Sequence, residues 1–491
     1  MAHTKRTTAT SSAGTSNSPK SSLTPLLTRR WIMLGGALLT GCAAVYTTQA
    51  YWGTTAPVRL GRQAKDIPVD CPVPDATYKQ RVAWRNQLPR RLQPFPLMPT
   101  EQVNSKLAQN ERSVQVGDRN RGPEDQPVVW RYDTNQVASN ARIEDYYQSW
   151  ALSSDVQELV QGTAWLPSDL KTDPRWLFFA VFDGHGGYQC SEYVSQHLPN
   201  HIQRALKWTL EAKAPDSNQP WDDIEKMRAA LAAGFVTMDD ELINGSLQKV
   251  IKEPQQAQKL LAPAVAGACG LVASYDTQLQ QLSVACTGDS RAVLGTLDST
   301  TGRWTATPLS TDQTADNPAE LQRLYAEHPN EKDTVIRRGR ILGSLQPTRS
   351  FGDARYKWPE DIQAQIFTTQ FPGRRATPPH YLTPPYVTAT PVITTQTLTK
   401  HDKFLVIATD GLYDELGNAE IVQTVAEFWE AKVHSPEVDH AKTLDNNAAT
   451  HLIRKAFGGD DPEIIGRLLS IPPPKSRSNR DDITITVIFF D

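Results

Sequence analysis

The chain has 491 residues, a formal net charge of −3 and a hydrophobic content of 39%. This length allows several domains or one large enzyme domain with a tail, and the apolar fraction is sufficient for a substantial core. The near-neutral charge argues against a nucleic-acid-binding protein, and the five cysteines lack the spacing of a zinc site or a disulfide framework.

The N-terminal part of the chain has the composition of a targeting region, since its first 65 residues contain neither Asp nor Glu. Residues 1–30 are rich in Ser and Thr with scattered Lys and Arg, which is typical of a mitochondrial targeting sequence and also of a disordered polar tail. Residues 31–52 are mostly apolar and uncharged, so we expect a single transmembrane anchor in the mitochondrial inner membrane. The alternative is a cleaved secretory signal of the bacterial lipoprotein type, because Arg29-Arg30 precede an apolar run that contains Cys42.

The next region, residues 53–129, is rich in Pro and Arg and is predicted to be a linker or an N-terminal extension. Within it, residues Glu101 to Arg112 are predicted to form a short helix. The folded body is expected to span residues 130–491.

The central predicted element is a strand from Trp176 to Phe182, seven apolar residues that end in Asp183-Gly184-His185-Gly186-Gly187. A continuous apolar run bounded by glycines indicates a strand buried on both faces, and glycine permits a sharp turn with close backbone approach. The strand end therefore presents a carboxylate and an imidazole together. One interpretation is a metal ligand, Asp183, beside a proton-transfer group, His185; the other is a turn-capping Asp with a surface His.

Further acidic residues stand at the ends of other predicted strands. Asp289 occupies the turn of a hairpin, Asp410-Gly411 follow the apolar run Phe404–Thr409, and Asp481-Asp482 precede the partly alternating strand Ile483–Phe490. Mg²⁺ and Mn²⁺ prefer oxygen ligands, and two such ions can share and activate a water molecule. The other predicted elements are helices at Gln189–Leu210, Trp221–Gly245 and around Leu321–Tyr325, hairpin arms at Leu282–Cys286 and Arg291–Leu297, a small-residue strand within Pro263–Tyr275 and an edge strand at Val387–Thr394.

Several motifs in this order resemble the metal-dependent serine/threonine protein phosphatases of the protein phosphatase 2C (PP2C) family: DGHGG, TGDSRAVLG, ATDGLYDEL and RDDITITVI. The segments RYDTNQVASN, LQPTRSFGDARYKW and YLTPPYVTATPVIT resemble its pyruvate dehydrogenase phosphatase branch. The resemblance covers about Trp130 to Asp491. It implies an α+β fold, a four-layer sandwich of two antiparallel sheets flanked by helices. It also implies hydrolysis of phosphoserine or phosphothreonine in a mitochondrial phosphoprotein, such as the E1α subunit of the pyruvate dehydrogenase complex.

The resemblance further implies a role for each candidate residue. His185 would give a proton to the leaving oxygen, and Asp289 would hold a loosely bound third ion or orient a water. Two Mg²⁺ or Mn²⁺ ions would be held by Asp183, the backbone carbonyl of Gly184, Asp410 and Asp481, with Glu144 and Asp145 acting mostly through water.

The sequence departs from the family pattern at the phosphate-binding Arg, which stands four residues before the Glu of the acidic pair. This chain has Asn140 there, and Arg142 lies two residues before Glu144. On a strand, a shift of two residues preserves the face, so Arg142 is the candidate phosphate-binding residue, with a surface Arg as the alternative. Asp353 either assists a third ion or caps a turn while Phe351 enters the core.

Two other functional classes remain open on the sequence. One is a catalytically inactive, phosphatase-like binding protein, against which the intact acidic residues and His185 count. The other is a metal-dependent phosphodiester hydrolase, against which the charge balance and the lack of a basic aromatic stripe count.

Overall fold

The computed structural model describes residues 69–71, 91–116, 128–156, 159–161, 174–212, 221–371, 377–434, 445–459 and 461–491. The predicted targeting sequence, residues 1–30, and the predicted anchor, residues 31–52, lie outside these ranges. Within them, no helix combines the length and the apolar character that a bilayer crossing requires.

Two sheets form the centre of the described chain, with strands and helices numbered here along the sequence. Sheet A is antiparallel except for the parallel contact of its first two strands. In spatial order it contains β1 (Val69–Asp70), β10 (Arg303–Pro308), β9 (Arg291–Asp298), β15 (Asp402–Ala408), β16 (Ile483–Phe490), β3 (Val129–Val137) and β2 (Arg112–Gln115).

Sheet B is antiparallel throughout its described pairs. In spatial order it contains β14 (Val392–Thr397), β8 (Gln281–Thr287), β7 (Gly267–Asp276), β6 (Trp176–His185), β4 (Tyr146–Leu152) and β5 (Leu159–Gln161). A short strand, β13 (Phe351–Gly352), pairs with the beginning of β7. Strands β11 (Ile336–Arg337) and β12 (Arg340–Ile341) form a separate hairpin.

Helices cover the outer face of each sheet. The described α-helices are α1 (Thr100–Leu107), α2 (Gln189–Glu211), α3 (Asp223–Asp240), α4 (Ser246–Lys252), α5 (Ala257–Val265), α6 (Pro318–Glu327), α7 (Glu360–Gln370), α8 (Asp410–Tyr413), α9 (Asn418–Phe428), α10 (Ala448–Gly458) and α11 (Pro462–Ser470). Helices α2 and α3 pack on sheet B, and α9, α10 and α11 pack on sheet A together with α1. The predicted four-layer α+β sandwich is therefore confirmed.

Strand β6 shows why four layers form. Successive side chains of a strand point to opposite faces, and this strand is apolar at every position before Asp183. Phe179 and Val181 enter the core between the sheets, whereas Phe178 and Phe182 enter the core beneath α2 and α3. Burial of each such side chain stabilises the fold by about 1.5–3 kcal/mol.

The predicted elements agree with the structure where apolar runs are long and uninterrupted. Strand β16 has the predicted bounds, and α2 ends one residue later than predicted. The predicted strand within Pro263–Tyr275 was wrong at its start, since α5 continues to Val265. The edge strand begins at Val392 rather than Val387.

The region before Trp130 contributes to the folded body. The predicted helix from Glu101 ends at Leu107, because Arg112 already belongs to strand β2, which pairs with β3. Val103 and Leu107 are buried in the core beneath α10 and α11. Helix α1 and strand β2 of the predicted N-terminal extension are thus packed on the domain.

Candidate active site

The DGHGG motif forms the end of β6 and the turn into α2. Gly186 and Gly187 have φ angles of +69° and +126°, which glycine adopts without strain. At Gly184 the reason for glycine is close packing, since a Cβ there would lie 2.2 Å from the backbone oxygen of Glu144. Asp183 and His185 are two residues apart on β6, so their side chains lie on the same face of the strand, with the tightly packed Gly184 between them.

Three carboxylates from distant parts of the chain meet beside this turn. Asp183 lies near the end of β6, Asp289 lies in the turn between β8 and β9, and Asp410 begins α8, separated from β15 by one residue. The predicted hairpin around Asp289 was wrong, because β8 belongs to sheet B and β9 to sheet A. Each offers an oxygen atom, and these three atoms lie within 4.8 Å of one another. We call these three residues the carboxylate cluster.

Mutual repulsion and burial act on the cluster. Burial, reinforced by the charges of Asp410 and Asp145, raises the pKa of Asp183 well above its ordinary value. Burial and the charge of Asp289 raise the pKa of Asp410 to about 6. Burial also raises the pKa of Asp289. Carboxylates shifted in this direction are stabilised in their charged form when a cation joins them.

The cluster fits a hard divalent cation by its donor chemistry. All three side chains offer carboxylate oxygen, the ligand type preferred by Mg²⁺ and Mn²⁺. The neighbouring thiol of Cys269 is a hydrogen-bond donor to Asp289, at 3.1 Å, and burial raises the pKa of that thiol well above its usual range. It is therefore held as a neutral thiol, which does not favour a soft metal.

A second acidic pair approaches the cluster on the loop between β3 and β4. Asp482 fixes this loop, because its carboxylate accepts hydrogen bonds from the backbone of Ser139 at 2.5 Å and of Glu144 at 2.8 Å. Asp145 is buried and accepts a hydrogen bond from Thr409 at 2.8 Å. Glu144 is half-buried, and burial raises the pKa of its carboxyl group. Neither belongs to the three-residue cluster, but the charge of Asp145 acts directly on Asp183.

Asp481 does not join the cluster in the structure. Its carboxylate forms an ion pair with Arg477 and accepts a hydrogen bond from the backbone of Asp482 at 2.6 Å. Arg477 also lowers the pKa of Asp410 by its charge, against the stronger effect of burial, so the ion pair stands at the edge of the site. The sequence predicted Asp481 as a direct metal ligand together with Asp183 and Asp410. In the structure, Asp289 rather than Asp481 lies in the carboxylate cluster with these two residues.

His185 has a carboxylate partner that the sequence did not identify. Its Nε2 atom lies 2.7 Å from Oδ2 of Asp353. Burial lowers the pKa of His185, but the charge and hydrogen bond of Asp353 outweigh burial, so that this pKa is raised overall. Phe351 lies in the core, as one interpretation expected, whereas the Asp353 side chain makes no cap hydrogen bond to the following turn.

Arg142 lies outside the cluster and does not lie on a strand. β3 ends at Val137 and β4 begins at Tyr146, so the expected strand through Arg142 was wrong. The guanidinium stacks on the ring of Tyr188, 3.1 Å from its centroid, and bonds Glu192 at 3.2 Å. Two acidic residues named in the sequence analysis have other partners than expected: Asp482 holds the loop before β4, and Asp353 of the RSFGD motif contacts His185.

Comparisons with known proteins agree with this geometry. The family model described as protein phosphatase 2C matches residues 156–457. A protein phosphatase 2C homologue from Schizosaccharomyces pombe is 36% identical, over 85% of this chain and 89% of that protein. Mitochondrial [pyruvate dehydrogenase [acetyl-transferring]]-phosphatase 1 of Saccharomyces cerevisiae is 34% identical, over 87% of this chain and 78% of that protein. Phosphatase 2 of the same name from Homo sapiens is 32% identical, over 80% and 83%.

Proposed function

The chain belongs to the protein phosphatase 2C family of metal-dependent protein serine/threonine phosphatases, and on this premise we propose that it dephosphorylates a mitochondrial phosphoprotein at the carboxylate cluster. The observation that carries the assignment of the site is the meeting of Asp183, Asp289 and Asp410 within 4.8 Å. The names of the yeast and human relatives support phosphorylated pyruvate dehydrogenase as the first substrate to test, and we propose its E1α subunit as the phosphorylated part.

The residues of this chain suit a site for two divalent ions. We propose that Asp183, Asp410 and Asp289 hold Mg²⁺ or Mn²⁺ directly, with the carbonyl of Gly184. Asp481 would join them by leaving Arg477, while Glu144 and Asp145 act through water. When bound, the ions supply a water nucleophile at neutral pH and neutralise charge on the phosphoryl group.

The protein side chains then handle the leaving group and the phosphate. His185 donates a proton to the leaving Ser or Thr oxygen, because an alkoxide leaves poorly without one. This role is supported by the position of His185 two residues after Asp183 on β6, because the two side chains share one face of that strand. We propose that Arg142 leaves its ion pair with Glu192 and contacts the substrate phosphate, because the fork of a guanidinium matches phosphate oxygens.

The first experiment measures phosphate release from a phosphothreonine peptide by the purified full chain. We expect activity with Mn²⁺ or Mg²⁺, loss in EDTA, and recovery when either ion is returned. Full activity in EDTA would contradict the metal site. No turnover under any condition would instead favour the inactive binding protein, and turnover of a phosphodiester alone would favour the nuclease-like alternative.

The second experiment tests the substrate. We expect the chain to remove phosphate from phosphorylated pyruvate dehydrogenase complex with a higher kcat/KM than from a free peptide of the same phosphosite sequence. Activity on the peptide with none on the complex would reject this substrate and leave the phosphatase assignment intact.

Location is a separate proposal, supported by the composition of residues 1–52 and by the mitochondrial names of the relatives. Residues 1–30 would direct import, and residues 31–52 would anchor the protein in the inner membrane. Fractionation should find the native protein in mitochondria and resistant to carbonate extraction. Release by carbonate would reject the anchor alone.

A further inference from the structure

Three neighbouring strands bring His185 to Asp353. His185 is the last residue of β6 and lies opposite Gly267 in β7, and Gly267 in turn lies opposite Gly352 in β13. Asp353 follows Gly352 with a left-handed φ of 51°, and its backbone N–H donates to the oxygen of Ala266 at 2.9 Å. The side chains of His185 and Asp353 therefore meet over the Cα atom of Gly267.

The contact between His185 and Asp353 leaves no room for a side chain at Gly267. A Cβ at Gly267 would lie 2.1 Å from Nε2 of His185 and 2.4 Å from Oδ2 of Asp353, so only glycine leaves space for the pair. Ser350 donates its hydroxyl proton to the same oxygen of Asp353 at 2.6 Å. Asp353 is only 6% exposed, so its carboxylate is committed to these two partners rather than to solvent.

The turn that carries Asp353 has its own support. Lys357 bonds Asp239 at 2.8 Å and the backbone oxygen of Ser350 at 2.8 Å. Asp239 also accepts the backbone N–H of Gly352 at 2.9 Å. The turn is therefore held by groups other than the Asp353 carboxylate, and removal of that carboxylate should leave the turn in place.

We propose that Asp353 is a positioning residue that holds the imidazole of His185 through Nε2 and thereby presents Nδ1 to the leaving-group oxygen. A carboxylate bonded to one ring nitrogen fixes both the orientation and the tautomer of an imidazole. This inference rests on the proposed role of His185 as the proton donor. As the bond between phosphorus and the Ser or Thr oxygen breaks, the Nδ1 proton passes to that oxygen. The hydroxyl of the attacking water remains on phosphorus, and its released proton restores the imidazolium by way of solvent.

The test compares Asp353→Ala, Asp353→Asn, His185→Ala and the double variant Asp353→Ala/His185→Ala at saturating Mn²⁺. On a phosphothreonine peptide, Asp353→Ala should lower kcat about 10–100-fold, as losses of outer hydrogen-bond partners do, with little change in KM. On p-nitrophenyl phosphate the loss should stay within about threefold, because that leaving group departs without a proton. Asp353→Asn should not restore the kcat, because an amide carries no charge to hold the imidazolium and its N–H can favour the wrong tautomer. The control Asp361→Ala, at an exposed carboxylate of α7, should match the unmodified protein.

The double variant decides whether Asp353 acts through His185. In the His185→Ala background, Asp353→Ala should cost less than about twofold further, because the two residues act as one unit. The inference is overturned if Asp353→Ala slows both substrates equally, if its effect is the same with and without His185, or if more Mn²⁺ restores its activity, which would make Asp353 a metal ligand. Equal slowing of both substrates by His185→Ala would instead show that the proposed proton donor itself is wrong.

Discussion

The clustered carboxylates and the groups on the neighbouring loops differ in how the fold holds them. Asp183, Asp289 and Asp410 stand at the ends of central strands of the two sheets, where packing on both faces fixes the backbone. Arg142 and Asp481 stand on connecting segments. Arg142 forms an ion pair with Glu192, and Asp481 forms one with Arg477. The strand ends thus hold the carboxylates of the proposed cation site in position, whereas the loop groups would have to exchange partners before they could serve it.

The largest expected effect tests the strand-end half of this comparison. Asp183→Asn or Asp410→Asn should lower kcat at least ~1,000-fold, roughly 4 kcal/mol, because each removes a charged oxygen from the cluster. The fold should survive, since the change also relieves buried charge repulsion. Phosphopeptide turnover and far-UV circular dichroism measure the two parts.

The matched control is Asp298→Asn, at the opposite, exposed end of strand β9. It should leave turnover unchanged. A kcat for Asp183→Asn within about tenfold of the unmodified protein would show that the cluster does not hold the ions on which the reaction depends.

The second prediction concerns stability without metal. The folded pKa of Asp410, about 6, exceeds its ordinary value of 3.8. The protonated form of Asp410 therefore stabilises the folded state fully below pH 3.8, and this stabilisation is lost as pH rises through about 6. The free energy of unfolding that is lost in this way is about 3 kcal/mol. In EDTA, the difference in the free energy of unfolding between the unmodified protein and Asp410→Asn should fall between pH 4 and 7.

Urea unfolding at fixed pH values measures this dependence, and Mn²⁺ should flatten it by stabilising the charged form. Asp410→Asn should also flatten it, whereas the exposed control Asp298→Asn should not. The direction assigned to Asp410 would be contradicted if the stability of the metal-free Asp410→Asn protein fell as steeply from pH 4 to 7 as that of the unmodified protein.

Sequence reasoning succeeded where local pattern and long-range packing coincide. The uninterrupted apolar runs before Asp183 and Asp410 predicted buried strands, and a residue directly after such a strand can only lie at its end. Family motifs then indicated that these ends converge. For this reason the sheet sandwich and the placement of all three clustered carboxylates at one site were predictable without coordinates. The sequence prediction differed in giving Asp481, rather than Asp289, a direct place beside Asp183 and Asp410.

Sequence reasoning failed where the position of a side chain depends on contacts between distant parts of the chain. The strands on either side of Asp289 were predicted to pair as a hairpin, but β8 and β9 lie in different sheets and the turn with Asp289 crosses between them. The pairing of His185 with Asp353 depends on strand β13 joining β7, a contact between residues more than 80 positions apart. Arg142 was expected on a strand, but the hydrogen bonds from Ser139 and Glu144 to Asp482 hold that segment as a loop.

The third prediction tests the loop half of the comparison. Arg142→Ala should raise KM for a phosphothreonine peptide about 10-fold with kcat nearly unchanged, roughly 1.4 kcal/mol of lost phosphate binding. Glu192→Gln should lower KM about twofold, because the guanidinium no longer has to leave a carboxylate. Arg204→Ala, an exposed arginine on the same helix as Glu192, is the control. An unchanged KM in Arg142→Ala would make Arg142 a surface residue and turn attention to Arg477.

The smallest expected effect concerns how firmly the strands hold Asp289. Cys269 lies opposite Asp183 in the register of β6 and β7, and its thiol donates to Asp289 at 3.1 Å. A thiol is a weak donor, so Cys269→Ala should raise the Mn²⁺ concentration for half-maximal activity only about 2–5-fold, less than the 10–100-fold typical of stronger outer partners. Cys269→Ser keeps a donor and should restore the original value. If Ser and Ala behave alike, the loss reflects packing against Gly288, and the strand geometry alone holds Asp289 in the cluster.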